Sequence, residues 1–205
     1  MKKADLEHNH DSFDEAVARY RGFMERVVEA QRVIRTKTEK QDVAESVLLR
    51  LCAHWERFVD EHLVDCVNCD HSSLNEFLGV SIPRHPSRNV CQAVLFGGSY
   101  KDFKSFGDLK GFSKKVLPDE SNPFLAVGAS HATKLDEVFK IRNYLAHYSA
   151  AARRALDRMY EQSYNMARFE EPGRFLLAHN GRRLWAYFGA FSGASADMKA
   201  WCTAV

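Results

Sequence analysis

Long apolar segments are missing from the chain. Even its most hydrophobic stretch is interrupted by Arg50, His54 and Glu56, whereas a membrane-spanning helix needs about 18 consecutive apolar residues. A signal peptide is not indicated either, because Asp5 and Glu7 stand where such a peptide would become apolar. We therefore expect a cytoplasmic protein that does not associate with membranes.

A disulfide framework and the common hydrolase motifs are also missing. The five cysteines are an odd number, which is typical of reduced thiols rather than of paired ones. Cys66 and Cys69 form one Cys-x-x-Cys pair, but a structural zinc site needs four ligands, so Cys91, His62 and His54 would have to join it. Gly-Lys-Ser/Thr, Gly-x-Ser-x-Gly and His-Glu-x-x-His sequences do not occur. We expect neither a metal nor a cofactor.

A strong excess of one charge is absent as well. The 29 basic and 27 acidic side chains leave a net charge of +2, far below the basic excess of a typical duplex-binding protein. Residues 1–65 are net acidic, whereas residues 66–205 are net basic. With 205 residues and 45% hydrophobic side chains, the chain is long and apolar enough to form one globular domain.

What the chain does contain is helical periodicity. Apolar side chains recur at steps of three and four over residues 12–35, which predicts an amphipathic helix that begins near Ser12. A second pattern runs to Val67 and opens at Thr38, which forms a capping-box sequence with Gln41. Two long helices joined by a short connection predict an antiparallel hairpin.

Residues 70–130 differ in composition from the hairpin. Gly, Pro, Ser and Asn separate short apolar patterns there, and short helices are predicted to open at Ser73 and Ser87. Gly97 and Gly98 are predicted to end the second of these helices. We interpret the region as an elaboration inserted into an all-α domain whose core is formed by about residues 10–70 and 130–165.

Further helices are predicted over residues 131–148 and 150–164. The segment 171–205, which we expect to pack on the core, allows two interpretations. The pair Asn180-Gly181 could form a β-hairpin turn, whereas the apolar pattern over 184–201 favours a final helix.

Chemically informative side chains occur together in residues 135–148. Arg142 falls within the apolar face of the predicted helix, while Asn143 and His147 are four residues apart and share its edge. A guanidinium for phosphate charge and an imidazole for proton transfer would suit cleavage of a phosphodiester. The alternative is structural: Arg142 in a buried ion pair with Glu45 or Glu56, and a solvent-facing His147.

This segment resembles the HEPN superfamily (higher eukaryotes and prokaryotes nucleotide-binding domain). Arg142-Asn143-Tyr-Leu-Ala-His147 is similar to the family's motif, Arg, a polar residue, three residues and His, and a long helical hairpin precedes it. The arrangement is most similar to the bacterial RiboL-PSP-type branch. The resemblance covers about residues 10–165.

The resemblance implies an all-α HEPN-like bundle and a metal-independent endoribonuclease. Arg142 and His147 would be its catalytic residues and Asn143 its polar neighbour. It also implies an RNA substrate, a homodimer and a role in a toxin or defence system, with a cognate antitoxin or defence partner possible. Some relatives are binding or dimerisation modules, so a non-catalytic scaffold is the alternative function.

The same helix predicts how a dimer would form. An unpaired guanidinium in an apolar face is costly to bury in a monomer. A twofold interface could bury Leu145 and Tyr148 while Arg142, Asn143 and His147 line a shared polar cleft. We therefore expect a symmetric dimer with the two motif helices facing each other.

Two basic segments could add to nucleic-acid binding. Aromatic and lysine side chains alternate over residues 100–115, which suits either single-stranded nucleic acid or a short amphipathic helix. Arg153, Arg154 and Arg158 follow the motif and could contact phosphates or simply face solvent.

Overall fold

The fold is all-α, as the sequence predicts. The computed structural model describes residues 6–29, 36–97 and 102–204, and no β-strand occurs in these ranges. Their eight helices are α1 (Leu6–Glu29), α2 (Lys37–Cys69), α3 (Ser72–Leu78), α4 (Arg88–Phe96), α5 (Phe106–Val116), α6 (Ala129–His147), α7 (Ala150–Tyr164) and α8 (Pro172–Ala204). Two 3₁₀ turns, Asp119–Ser121 and Pro123–Leu125, connect α5 to α6. Within the described ranges, no helix combines the length and the hydropathy needed to cross a membrane.

Helices α1 and α2 form the predicted antiparallel hairpin. Side-chain contacts join the start of α1 to the end of α2 and proceed in opposite directions along them: Asn9 with Asp65, Phe13 with Phe58, and Tyr20 with His54. The predicted start of α1 near Ser12 is wrong, because the helix begins at Leu6. The extra turns are held by long-range contacts that a local pattern does not reveal: Asn9 donates to Asp65 of α2, and His10 is buried against α2 and α8.

The predicted capping box of α2 is displaced by two residues. Thr36, not Thr38, is the N-cap: the Glu39 backbone N–H donates to Thr36 Oγ1 at 3.1 Å, and the Thr36 N–H donates to Glu39 Oε2 at 2.9 Å. Thr38 and Gln41 lie inside the helix. Both pairs satisfy the same spacing rule, and the earlier pair places a carboxylate at the positive end of the helix dipole.

The region between the hairpin and α6 contains the predicted short helices. Ser87 caps α4 through a bond from the Val90 N–H, and Gly97 ends this helix in the left-handed conformation, as predicted. Helix α3 begins one residue before the predicted Ser73. In α5 the phenylalanines are buried or half-buried and Lys114 and Lys115 are exposed, which is the amphipathic alternative. Arg35, Gly98, Tyr100 and Lys101, on which other predictions fell, lie outside the described residues.

The last segment forms helix α8, so the helical interpretation of this segment is confirmed. Its backbone leaves the helical conformation at Ala178, His179, Asn180 and Gly181, and the last three of these adopt positive φ angles. The Asn-Gly pair therefore breaks the helix, and the hairpin alternative is wrong because helix resumes after it. Beyond the break, Phe191 packs on Phe13 and Trp55 at the centre of the core.

A buried carboxylate fixes α6 against its neighbours. Glu137 accepts hydrogen bonds from Lys134 Nζ at 2.8 Å, from the Tyr164 hydroxyl at 2.6 Å and from the Tyr187 hydroxyl at 3.0 Å. These partners belong to α6, α7 and α8, so one satisfied carboxylate links three helices. Helix α6, which carries the motif residues, is thereby held in a defined position.

Candidate functional site

Arg142 lies on the side of α6 that faces α2, where it forms an ion pair. Arg142 Nη2 is 3.0 Å from Glu56 Oε1, and the two side chains are 21% and 19% exposed. Glu56 was one of the two partners that the sequence allowed. The other, Glu45, instead accepts a bond from the Gly173 N–H at 2.6 Å and so holds the first turn of α8. The premise that Arg142 is unpaired within a monomer is therefore wrong.

Asn143 contacts Arg142 directly. Asn143 Oδ1 accepts a hydrogen bond from Arg142 Nη1 at 3.0 Å. A guanidinium carries five N–H donors in a fixed plane. With Glu56 at one terminal nitrogen and Asn143 at the other, the plane is oriented from two sides while part of the group remains accessible to solvent. Asn143 thus orients the arginine.

His147 is the last residue of α6 and is exposed. Its side chain makes no hydrogen bond or ion pair with the described residues, and the structure does not join it to Arg142 or Asn143. It shares a helix edge with Asn143, which is four residues earlier, whereas Arg142, five residues earlier, projects about 140° away around the helix axis. The site therefore offers a fixed cation and, at the end of the same helix, a solvent-accessible imidazole.

The residue after His147 has an unusual backbone conformation. Tyr148 ends α6 with φ 45°, in the left-handed region, and its N–H donates to the Tyr144 carbonyl at 2.8 Å. Bulky residues rarely occupy this region, and such strain is concentrated at functional sites. The Tyr148 side chain is 65% exposed, the most exposed of the large apolar side chains among the described residues. An aromatic ring is thus presented to solvent beside the imidazole.

Leu145 does not lie where the dimer prediction placed it. The side chain is 7% exposed and belongs to the hydrophobic core of the single chain. It is therefore already buried, and only Tyr148 of the two predicted interface residues is available for a partner.

A second carboxylate of α2 lies close to Glu56. Asp60, one turn after Glu56, lines with it a small hollow whose other walls are apolar: Trp55, Val59, Phe103, Leu109 and Phe139. Burial, with Glu56 and Glu61 adding repulsion, raises the pKa of Asp60 to about 6. The sequence analysis missed Asp60, although its spacing of four from Glu56 places both on one side of α2.

A basic surface adjoins the end of α6. Arg153, Arg154 and Arg158 are exposed on α7, which begins three residues after His147. The Arg153 guanidinium lies 4.4 Å from the centre of the Phe169 ring. Their exposure fits both alternatives, a contact with phosphates and a solvent-facing surface.

The Cys66–Cys69 pair is not part of a ligand group in the described residues. Cys66 and Cys91 are buried, and Cys91 Sγ lies 3.7 Å from the Asn68 amide rather than near a second thiol pair. His62 lies instead beside Cys202, whose Sγ is 3.9 Å from His62 Nε2.

Comparisons with known proteins return no match: no protein-family model, no curated protein and no solved structure matches the chain.

Proposed function

We propose that the chain is a metal-independent endoribonuclease of HEPN type. The observation that carries the proposal is an oriented arginine and an exposed histidine within the last two turns of α6. Arg142 is oriented by Glu56 and Asn143 yet remains 21% exposed, and the exposed His147 is the last residue of the helix. Preorganised positive charge and an imidazole able to transfer a proton are what phosphodiester cleavage requires.

The reaction uses the 2′-hydroxyl of the RNA as the nucleophile. Its oxygen forms a bond to the adjacent phosphorus while the bond to the 5′-oxygen breaks, leaving a 2′,3′-cyclic phosphate and a 5′-hydroxyl. His147 accepts the proton of the 2′-hydroxyl or donates one to the leaving oxygen. Arg142 stabilises the negative charge that builds on the phosphate, and the arginines of α7 hold the RNA backbone.

A homodimer fits this chemistry, because a second His147 would supply the partner acid or base. Tyr148 is the residue through which we propose the contact, since it is exposed beside His147. Light scattering at micromolar concentration should give about twice 23.4 kDa, and Tyr148→Glu should give a monomer with reduced cleavage. A wild-type monomer that cleaves RNA would remove the second histidine from the mechanism.

The test of the activity is cleavage of total RNA by the purified chain in EDTA. His147→Ala should reduce the rate by about 10²-fold or more, the usual contribution of a general acid or base. His85→Ala is the matched control, because His85 is also exposed but lies between α3 and α4. Products should carry 2′,3′-cyclic phosphate ends. Equal cleavage by wild type and His147→Ala, or 3′-hydroxyl products, would refute the mechanism.

The toxin or defence role extends the same proposal. Overexpression in a bacterial host should arrest growth, and His147→Ala should relieve the arrest while His85→Ala does not. Equal arrest by all three proteins would point away from RNA cleavage as its cause.

The second candidate is a non-catalytic scaffold that binds RNA, nucleotide or a protein. The Glu56–Arg142 ion pair favours it, because a paired arginine between two helices has a structural use without any substrate. RNA binding that survives in His147→Ala, together with no cleavage by wild type, would support this candidate.

A further inference from the structure

Three potential metal ligands meet in the interior, away from the motif. They come from three helices: His10 from α1, His62 from α2 and Cys202 from α8. One donor atom from each lies within 4.8 Å of the other two. Both imidazole side chains are fully buried, and Cys202 is half-buried. No spacing in the sequence links these residues, so the group exists only through the packing of the three helices.

The hydrogen bonds of the two histidines are incomplete. His10 Nδ1 lies 3.0 Å from the Ser195 hydroxyl oxygen, but His10 Nε2 has no partner among the described residues. His62 Nδ1 is likewise buried without a partner there. Leaving a buried polar atom unsatisfied costs free energy, and buried polar groups normally have partners. The unpartnered His10 Nε2, in a ring whose centroid lies 4.6 Å from that of His62, calls for a ligand; on the His62 side the atom near Cys202 is Nε2, so an ion bound there would leave His62 Nδ1 as it is.

The protonation states suit a metal ion. Burial lowers the pKa of His10 to about 4 and that of His62 to about 3, so both rings are neutral at pH 7 and can offer a lone pair. Ser195 fixes the ring of His10 from its Nδ1 side, which is the contact that a coordinating imidazole usually makes through its second nitrogen. The thiol of Cys202 would lose its proton on coordination.

We infer that His10, His62 and Cys202 bind one transition-metal ion, zinc being the ion that two imidazoles and one thiolate favour. Tetrahedral zinc with ordinary bond lengths separates a nitrogen from a sulfur ligand by about 3.6 Å. His62 Nε2 and Cys202 Sγ are 3.9 Å apart, close to that separation, and binding would draw the remaining ligand atoms, now within 4.8 Å of one another, closer together. Three protein ligands leave one position for water.

The ion would connect the end of α8 to both helices of the hairpin. The inference does not depend on the proposed ribonuclease activity, because none of these residues belongs to the motif on α6. With three protein ligands and a water this is not a closed four-ligand site, but an ion that joins three helices still stabilises the fold: a chelator should lower the melting temperature and leave RNA cleavage intact at temperatures where the chain stays folded.

The test uses the full chain after EDTA treatment and dialysis. Zn²⁺ is titrated against a chromophoric chelator, and the metal content is measured after desalting. Co²⁺ is used as a spectroscopic probe, because a thiolate ligand gives a charge-transfer band in the near ultraviolet. We expect one ion per chain, a thiolate band with Co²⁺ and a higher melting temperature with Zn²⁺.

Cys202→Ser is the variant of choice, because its half-buried position makes unfolding less of a concern than at His10 or His62. It should weaken zinc binding at least tenfold and abolish the cobalt band, with an unchanged circular dichroism spectrum. Cys91→Ser is the matched control: serine can still accept the bond from Asn68, and Cys91 is outside the group. No uptake of zinc by wild type, or equal uptake by wild type and Cys202→Ser, would overturn the inference.

Discussion

Breaking the Glu56–Arg142 ion pair should reveal whether this arginine serves stability, chemistry or both. At 3.0 Å and an effective dielectric constant of about 20, the attraction is about 5 kcal/mol. Desolvation and the fixing of two side chains offset most of it, so we expect a coupling energy of about 1–2 kcal/mol. For a chain of this size that corresponds to about 2–8 °C in melting temperature.

The measurement is a double-mutant cycle with Glu56→Gln, Arg142→Met and the double variant. Urea unfolding followed by circular dichroism gives the free energy of unfolding of each protein. Each single variant should destabilise the fold, and the double variant should lose less than the sum of the two. A coupling energy below about 0.3 kcal/mol would refute the reasoning, because that is the scatter expected for independent sites.

The same variants separate stability from chemistry when RNA cleavage is measured at a temperature where all of them are folded. If Arg142 stabilises charge on the phosphate, Arg142→Met and the double variant should both lose about 10²–10³ in rate. Glu56→Gln keeps the arginine and should lose far less. Equal cleavage by Glu56→Gln and Arg142→Met would mean that the arginine acts only as a structural partner.

Three further predictions concern the fold. Thr36→Ala should lower the free energy of unfolding by about 1 kcal/mol, because it removes the cap of α2. Thr38→Ala, at an exposed position inside the helix, should change it by less than about 0.5 kcal/mol. Equal losses in urea unfolding would contradict the capping assignment. Gly173→Ala should lower the free energy of unfolding by about 1–3 kcal/mol, because the added carbon would lie 2.7 Å from the Gln41 carbonyl oxygen. An unchanged midpoint of urea unfolding would show that this close approach is relaxed at no cost. The pKa of Asp60 is raised from 3.8 to about 6, so the folded chain holds a proton that the unfolded chain releases, and stability is lost as the pH rises through 6. Asp60→Asn should therefore raise the melting temperature above pH 6 and change it little below pH 4; a constant difference across this range would contradict the assignment.

Helix positions were predictable where local patterns decide them, and less so where tertiary contacts do. The all-α class, the hairpin and the cap of α4 at Ser87 follow from periodicity and capping rules. The start of α1 does not, because it depends on His10 being buried against residues of α2 and α8. The break in α8 was predictable in position only. Asn180-Gly181 does interrupt the helix, but the sequence did not exclude a hairpin there; the helix that resumes after the break and packs Phe191 on the core does.

The candidate site shows the same division. The sequence placed Arg142 within the apolar face of a helix and Asn143 and His147 at the edge of that face, and the structure has all three on α6. Which glutamate pairs with Arg142 depends on how α2 lies against α6, so Glu45 and Glu56 could not be told apart from the sequence. The group of His10, His62 and Cys202 carries no local signal, because His62 and Cys202 are 140 residues apart.

The position of α8 has a consequence for how the protein is made. Its side chains complete a core begun by α1, and the bond between His10 and Ser195 joins residues 185 positions apart. While a ribosome is still adding residues before α8, Phe13 and Trp55 lack the ring of Phe191 that covers them. Such long-range contacts form late and slowly. The nascent hairpin therefore exposes apolar surface throughout synthesis of the intervening helices, until α8 has emerged.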